Sequence, residues 1–421
     1  MRKEGGYCLV LGGGGAKGVY HIGAWRALKE LGIQVDAFIG NSIGAIIAAF
    51  LAQGSDAALE ELGASISLGS ILSLDPGSQS KDAAERVRGW LDVFKSFVDK
   101  GGLDTSPLKG LLQTYLDEER LRASGVDLGL LTVNVTDLKP REIFLDQMEQ
   151  GGLVHYLLAS SAFPGFIKPE IDGKQYVDGG LFDNVPYNTA RKRGYRRIIV
   201  LDISGAGFTR KPDITGSETI YIKNSVDMGS TLDFDRAFLD AFTRLGYLDV
   251  MRTFGRYLGY SYFLIKDDVS ERGYRRFLED HKLPQAVFPD SMRYDRRVLL
   301  KHLECAASIL GVERLRVYTY AELATQVEAK RAEVEARVDA ALGYSGKGSM
   351  GTASKLKAAI SDMVRKGRQD QCPYYYKLLV RRVSTGRTQT LLEGTLDALF
   401  PALPSGIEYL EKAAAYLVRG R

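Results

Sequence analysis

Three short stretches in the first half of the chain hold residue types that do chemistry, at spacings that matter. Gly40-Asn41-Ser42-Ile43-Gly44 lies between two apolar runs, Val35 to Ile39 and Ala45 to Ala52. A serine in such a G-x-S-x-G turn between strand and helix sits on a strained backbone with its Oγ exposed, and Gly40 and Gly44 leave room for neighbouring backbone. The competing reading of Ser42 is an ordinary helix N-cap. Gly12-Gly13-Gly14-Gly15-Ala16-Lys17-Gly18 follows a strand-like stretch and opens a helix. Unshielded amides there suit an anion, as a dinucleotide phosphate cradle or an oxyanion hole, or they form only a tight turn. Tyr176-Val177-Asp178-Gly179-Gly180 sets a carboxylate at a strand end. Asp-Gly-Gly is also a common turn, but the small-residue and aromatic stretch Ala159 to Phe166 just upstream suits a pocket wall.

A nucleophilic serine needs a base within hydrogen-bond reach. The four histidines are His21, His155, His281 and His302. None follows a late strand of the α/β region, where a triad histidine is expected, so each reads as a surface or core residue. An aspartate serves as base if it touches the serine directly and partial burial raises its pKa.

These motifs, in this order, resemble the patatin-like phospholipase family: Gly-Gly-Gly-x-Lys/Arg-Gly after the first strand, then G-x-S-x-G, then Asp-Gly-Gly. The stretches His21 to Ala24, Leu28 to Ile33, Ala159 to Gly165 and Asp178 to Pro186 are similar to that family too, so the resemblance covers about residues 7 to 207. It implies a three-layer α/β/α fold and a Ser–Asp dyad, in which Ser42 attacks an ester carbonyl and Asp178 takes its proton. It also implies that amides of Gly13, Gly14 and Gly15 hold the tetrahedral oxyanion, and that Lys17 meets a phosphate or holds the loop. Gly18, Gly40, Gly44, Gly179 and Gly180 complete the motifs. Asn41 and Ile43 depart from the family's frequent Thr and Ala, and the bulk of Ile43 bears on acyl-chain access.

The elements needed to position these groups are legible around them. Strands are expected at Tyr7 to Leu11, Val35 to Ile39, Leu130 to Val135 and Arg197 to Ile203, with helices at Val19 to Leu31 and Ser42 to Gln53. Strands alternating with helices predict a largely parallel sheet with helices on both faces. Residues 7–207 are read as the catalytic domain and 208–421 as a mainly helical region of unassigned role. Within the latter, Ala321 to Leu342 reads as one long amphipathic helix, and 343–355 as a glycine- and serine-rich linker.

At 421 residues, 45% hydrophobic and 26% charged, the chain holds a substantial core and is not disordered. A net charge of +4 is mildly basic, and no nucleic-acid partner is expected. Three distant cysteines give no disulfide framework, which fits a reducing, cytoplasmic setting. No signal peptide and no run of about 18 apolar residues is seen, so membrane contact is expected to be peripheral. Trp90 to Val98 reads as a core-facing helix or an acyl-admitting lid. The basic residues Arg365, Lys366, Arg368, Lys377, Arg381, Arg382 and Arg387 read as a solvated face or an anionic-lipid contact.

The function expected is a lipid acyl hydrolase, of phospholipase A or lysophospholipase type, acting on a lipid or phospholipid without metal or cofactor. One alternative is a noncatalytic lipid-binding protein on the same scaffold. The other is a dinucleotide-binding fold, with Gly13-x-Gly15-x-x-Gly18 as fingerprint and Asp36 as ribose acid. Oligomeric state is left open.

Overall fold

The computed structural model describes residues 5–65, 102–227, 229, 233–265, 296–343 and 372–413. The chain divides into two compact units, Met1–Thr253 and Phe254–Arg421.

In the first unit, β1 (Tyr7–Leu11) is buried along its whole length. An unbroken apolar run of this kind suits a strand covered on both faces. A 3-10 turn at Gly15–Gly18 leads into α1 (Val19–Glu30), which gives way at Gly32, where φ is +68°. Next come β2 (Val35–Asn41) and α2 (Ile43–Ala52). Every residue of α2 is buried, because its sequence IGAIIAAFLA is apolar on all sides. Helices α3 (Asp56–Ser65), α4 (Ser106–Tyr115) and α5 (Glu118–Ala123) precede β3 (Asp127–Asn134) and β4 (Lys139–Phe144). Then come α6 (Leu153–Ser160), β5 (Glu170–Ile171), β6 (Lys174–Asp178) and α7 (Tyr187–Arg193). The unit closes with β7 (Arg197–Asp202), β8 (Glu218–Lys223) and α8 (Arg236–Thr253).

The fold is α/β and three-layered around a mixed sheet of order β5-β6-β3-β2-β1-β7-β8, with β4 also on β3. Strands β3, β2, β1, β7 and β8 are parallel, as expected. The rest depart from the expected parallel arrangement, since β4 and β6 pair antiparallel with β3, and β5 with β6. Four residues, 135–138, join β3 to β4, and so short a connection permits only antiparallel pairing. One face of the sheet packs Cys8, Val10, Ile39, Ile198 and Val200 against Tyr187 and Ala190 of α7.

The first unit continues past 207 because α8 packs along α1. Buried Asp249 on α8 accepts from Tyr20 Oη at 3.0 Å and from the Ser225 amide at 3.0 Å, and pairs with Arg252 at 2.9 Å.

The second unit is mainly helical: α9 (Arg296–Ile309), α10 (Tyr320–Gly343), α11 (Pro373–Val383), α12 (Gly386–Leu399) and α13 (Leu403–Glu408). The long helix read at Ala321 to Leu342 is α10. A two-stranded parallel pair, β9 (Phe263–Leu264) and β10 (Val317–Tyr318), joins their core through Tyr262, Leu264 and Tyr318. Three cations of the basic tract are paired within this unit: Lys377 with Glu393 and Asp397, Arg381 with Glu411, and Arg382 with Asp339. Residues 365–368, His281, the 343–355 linker (save Gly343, the last residue of α10) and the 90–98 stretch lie outside the described residues.

Candidate active site

The register of β3 brings the serine and aspartate motifs together. Asn41, the last residue of β2, pairs with Leu131 in parallel, while Asp178, the last residue of β6, pairs with Thr132 in antiparallel. Strands β2 and β6 therefore lie end to end along one edge of β3, and their last residues meet.

Ser42 sits at the turn between β2 and α2 with φ 55° and ψ −130°, a conformation that costs a non-glycine residue roughly 1–3 kcal/mol. The elbow requires glycine at both flanks. A Cβ on Gly40 would lie 2.3 Å from the Gly44 carbonyl, and one on Gly44 would lie 2.4 Å from the Leu11 carbonyl oxygen. Ser42 occupies the N-cap position of α2, yet its side chain makes no capping bond. The Ser42 hydroxyl instead lies near the Asp178 carboxylate, close enough to lower its pKa. Its backbone is held by Ser160, whose Oγ accepts the Ser42 N–H at 3.0 Å and donates to Leu131 O at 2.7 Å.

Asp178 is 5% exposed. Its Oδ1 accepts from the Gly180 amide at 2.7 Å and from Asn41 Nδ2 at 3.3 Å. Desolvation raises its pKa above the ordinary carboxylate range, against the lowering effect of the nearby Ser42 hydroxyl and of the bonds from Gly180 and Asn41. An aspartate poised this way is a stronger proton acceptor than one in water.

The glycine loop lies alongside. The Gly13 amide donates to Asn184 O at 3.0 Å, so it is not left for an oxyanion. Of the expected set of Gly13, Gly14 and Gly15, the Gly13 amide is thus engaged by backbone. Lys17 is buried, and its Nζ donates to Ser204 O at 3.4 Å. It ties the glycine loop to the chain after β7, and burial lowers its pKa. Gly18 packs against Ile43, and Gly179 against the Asn41 side chain and the Leu131 carbonyl.

The described histidines hold other positions. His21 is fully buried, and its Nε2 lies 2.9 Å from Gly12 O. A carbonyl only accepts, so Nε2 carries the proton, and Nδ1 is buried without a partner among the described residues. Desolvation lowers the His21 pKa to about 4. His155 is exposed, and His302 belongs to the second unit.

Asp36 is accounted for as well. It lies near the start of β2, where its carboxylate accepts from the Gly6 amide. A ribose-binding acid belongs at the opposite, C-terminal end of the strand, beside the glycine loop.

Motif spacing alone did not single out Asn41, Ser160 or Asn184 as site residues. All three adjoin or fall within stretches that the motifs mark, and that adjacency was the available signal.

Residues 9–191 match the family described as patatin-like phospholipase. Lysophospholipase NTE1 of Cryptococcus neoformans is 29% identical over 49% of this chain and 12% of its own length. The human patatin-like phospholipase domain-containing protein 6 is 30% identical over 46% of this chain and 13% of its own. The chain thus spans about an eighth of the length of these relatives. The solved structure of VipD from Legionella pneumophila aligns over 99% of this chain and 90% of that one, with 13% identity and a TM-score of 0.39.

Proposed function

Taking as premise that residues 9–191 form a patatin-like phospholipase domain, we propose that the chain hydrolyses carboxylic ester bonds of lipids through a Ser42–Asp178 dyad, as a phospholipase A or lysophospholipase. The observation that carries this reading is the β3 register, which sets Asn41, just before Ser42, against Leu131 and the buried Asp178 against the next residue, Thr132.

In this mechanism Asp178 accepts the Ser42 proton as Oγ attacks the acyl carbonyl. The Oγ–C bond forms, and the carbonyl electron pair moves onto oxygen. The amides of Gly14 and Gly15 stabilise that oxyanion, each contributing about 3 kcal/mol to the transition state. Collapse expels the alcohol of the lipid, which takes the proton from Asp178. Asp178 then removes a proton from water, whose oxygen attacks the acyl-enzyme carbonyl; collapse breaks the Oγ–C bond, releases the fatty acid and returns that proton from Asp178 to Ser42 Oγ. The acyl-enzyme step requires no metal or cofactor, and Lys17 acts by holding the loop.

Contact with membrane lipid is peripheral in this reading. Among the described residues no helix is long and apolar enough to cross a membrane.

The test is hydrolysis of a p-nitrophenyl ester and of a lysophospholipid by the chain and by Ser42→Ala. Turnover that disappears in Ser42→Ala supports the reading. Lipid binding without Ser42-dependent turnover contradicts it and favours a noncatalytic lipid-binding role.

A further inference from the structure

We propose that Asn184 is a positioning residue that aims the oxyanion loop at the dyad, acting together with Asn41. The proposal rests on the dyad reading above and deepens it.

Asn184 is buried and grips Gly13 twice. Its carbonyl oxygen accepts the Gly13 N–H at 3.0 Å, and its side-chain Nδ2 donates to Gly13 O at 3.1 Å. Its Oδ1 accepts from Asn41 Nδ2 at 3.3 Å, and that same Nδ2 donates to Asp178 Oδ1 at 3.3 Å. Asn41 directly precedes Ser42. Two side-chain amides therefore join the glycine loop, the nucleophile's neighbour and the base in one hydrogen-bonded chain. No side chain fits between them, since a Cβ on Gly13 would lie 2.6 Å from Asn184 Oδ1 and 2.8 Å from Asn41 Nδ2.

Peptide geometry turns this grip into direction. In a planar trans peptide the C=O and the following N–H point opposite ways. Holding Gly13 O against Asn184 fixes the Gly14 N–H to point the opposite way within that peptide plane. The side chain of residue 184 thereby sets where the first oxyanion donor aims. Only a carboxamide serves here, because Gly13 O requires a donor and Asn41 Nδ2 requires an acceptor. Aspartate has the same shape but cannot donate to Gly13 O when ionised.

The experiment compares the full chain with Asn184→Asp, Asn184→Ala and Ser42→Ala on a short-chain p-nitrophenyl ester, with thermal unfolding measured alongside. Both Asn184 variants keep the backbone bond to Gly13, and Asn184→Ala serves if the carboxylate variant does not fold. An oxyanion donor acts in the transition state and not in the ground state. The expected result is therefore a kcat lower by about 100-fold per folded molecule with KM changed less than about twofold. A variant that melts earlier but keeps its kcat, or one that loses rate through KM, overturns the proposal. Wild-type turnover in Ser42→Ala would instead remove the dyad reading on which it rests.

Discussion

Ser42 and Asp178 meet because their partners are consecutive on β3: Asn41, just before the serine, pairs with Leu131, and Asp178 itself pairs with Thr132. The proposed dyad is thus set by strand register, and a one-residue slip of β6 would turn the carboxylate to the other face of the sheet. Asp178→Asn keeps shape and register but removes the base. The account predicts that it lowers kcat for a p-nitrophenyl ester by at least about 10³-fold while the melting temperature holds or rises. Steady-state kinetics with thermal unfolding check this.

The acidic limb of the activity profile follows from the buried carboxylate. The base works only when ionised, and burial raises its pKa. Activity is therefore expected to rise with pH through a midpoint above the ordinary aspartate value of about 4. The bond from Asn41 favours the ionised form, so Asn41→Ala should move the midpoint further up. A kcat/KM profile of both proteins checks the direction.

Asp183 gives a stability test separate from catalysis. It is buried, and desolvation raises its pKa to about 6 against the bonds from the Arg210 and Val185 amides. The folded state then holds a proton that the unfolded state loses between about pH 4 and 6, so this group's contribution to stability falls as pH rises through that window. Asp183→Asn should be more stable than the parent at pH 7 to 8, by up to roughly 2–3 kcal/mol, with the difference closing toward pH 4. Denaturant unfolding across pH measures it.

His21 acts in the opposite sense. Its folded pKa of about 4 lies below the unfolded value, so the unfolded chain binds the extra proton between about pH 4 and 6.5. Its contribution to stability therefore rises with pH through that window and is complete above it. His21→Gln retains a donor for the Gly12 carbonyl without the titration. The variant should lose less stability than the parent on acidification from pH 6.5 to 4, as read from unfolding at both pH values.

The elbow glycines test packing. A methyl group on Gly40 would meet the backbone of Gly44 and Ala45 at 2.3–2.4 Å, where nothing can rotate away. Gly40→Ala is expected to cost more than about 3 kcal/mol, or to prevent folding. Expression and thermal unfolding read this directly.

The α/β architecture was legible where apolar runs were long and punctuated by glycine, as at Tyr7 to Leu11 and Ile43 to Ala52. Motif order singled out Ser42 and Asp178 as candidates, and strand register places them near each other. Strand β4 and the antiparallel pairing were not legible, because Lys139-Pro140-Arg141-Glu142 is largely polar and at most half-buried, and periodicity reports burial. The commitment of the Gly13 amide was hidden for a related reason. Its partner is the Asn184 carbonyl, a backbone atom whose position depends on tertiary structure. Asn41 read as a departure at a variable motif position, yet it bonds both Asp178 and Asn184.

In the proposed mechanism the nucleophile is Ser42 Oγ. Labelling the full chain with a fluorophosphonate probe and mapping the adduct by mass spectrometry tests it most directly. The account predicts one adduct, on Ser42, that is lost in Ser42→Ala and strongly slowed in Asp178→Asn. An adduct on another residue, or equal labelling of Ser42 when Asp178 is asparagine, would contradict it.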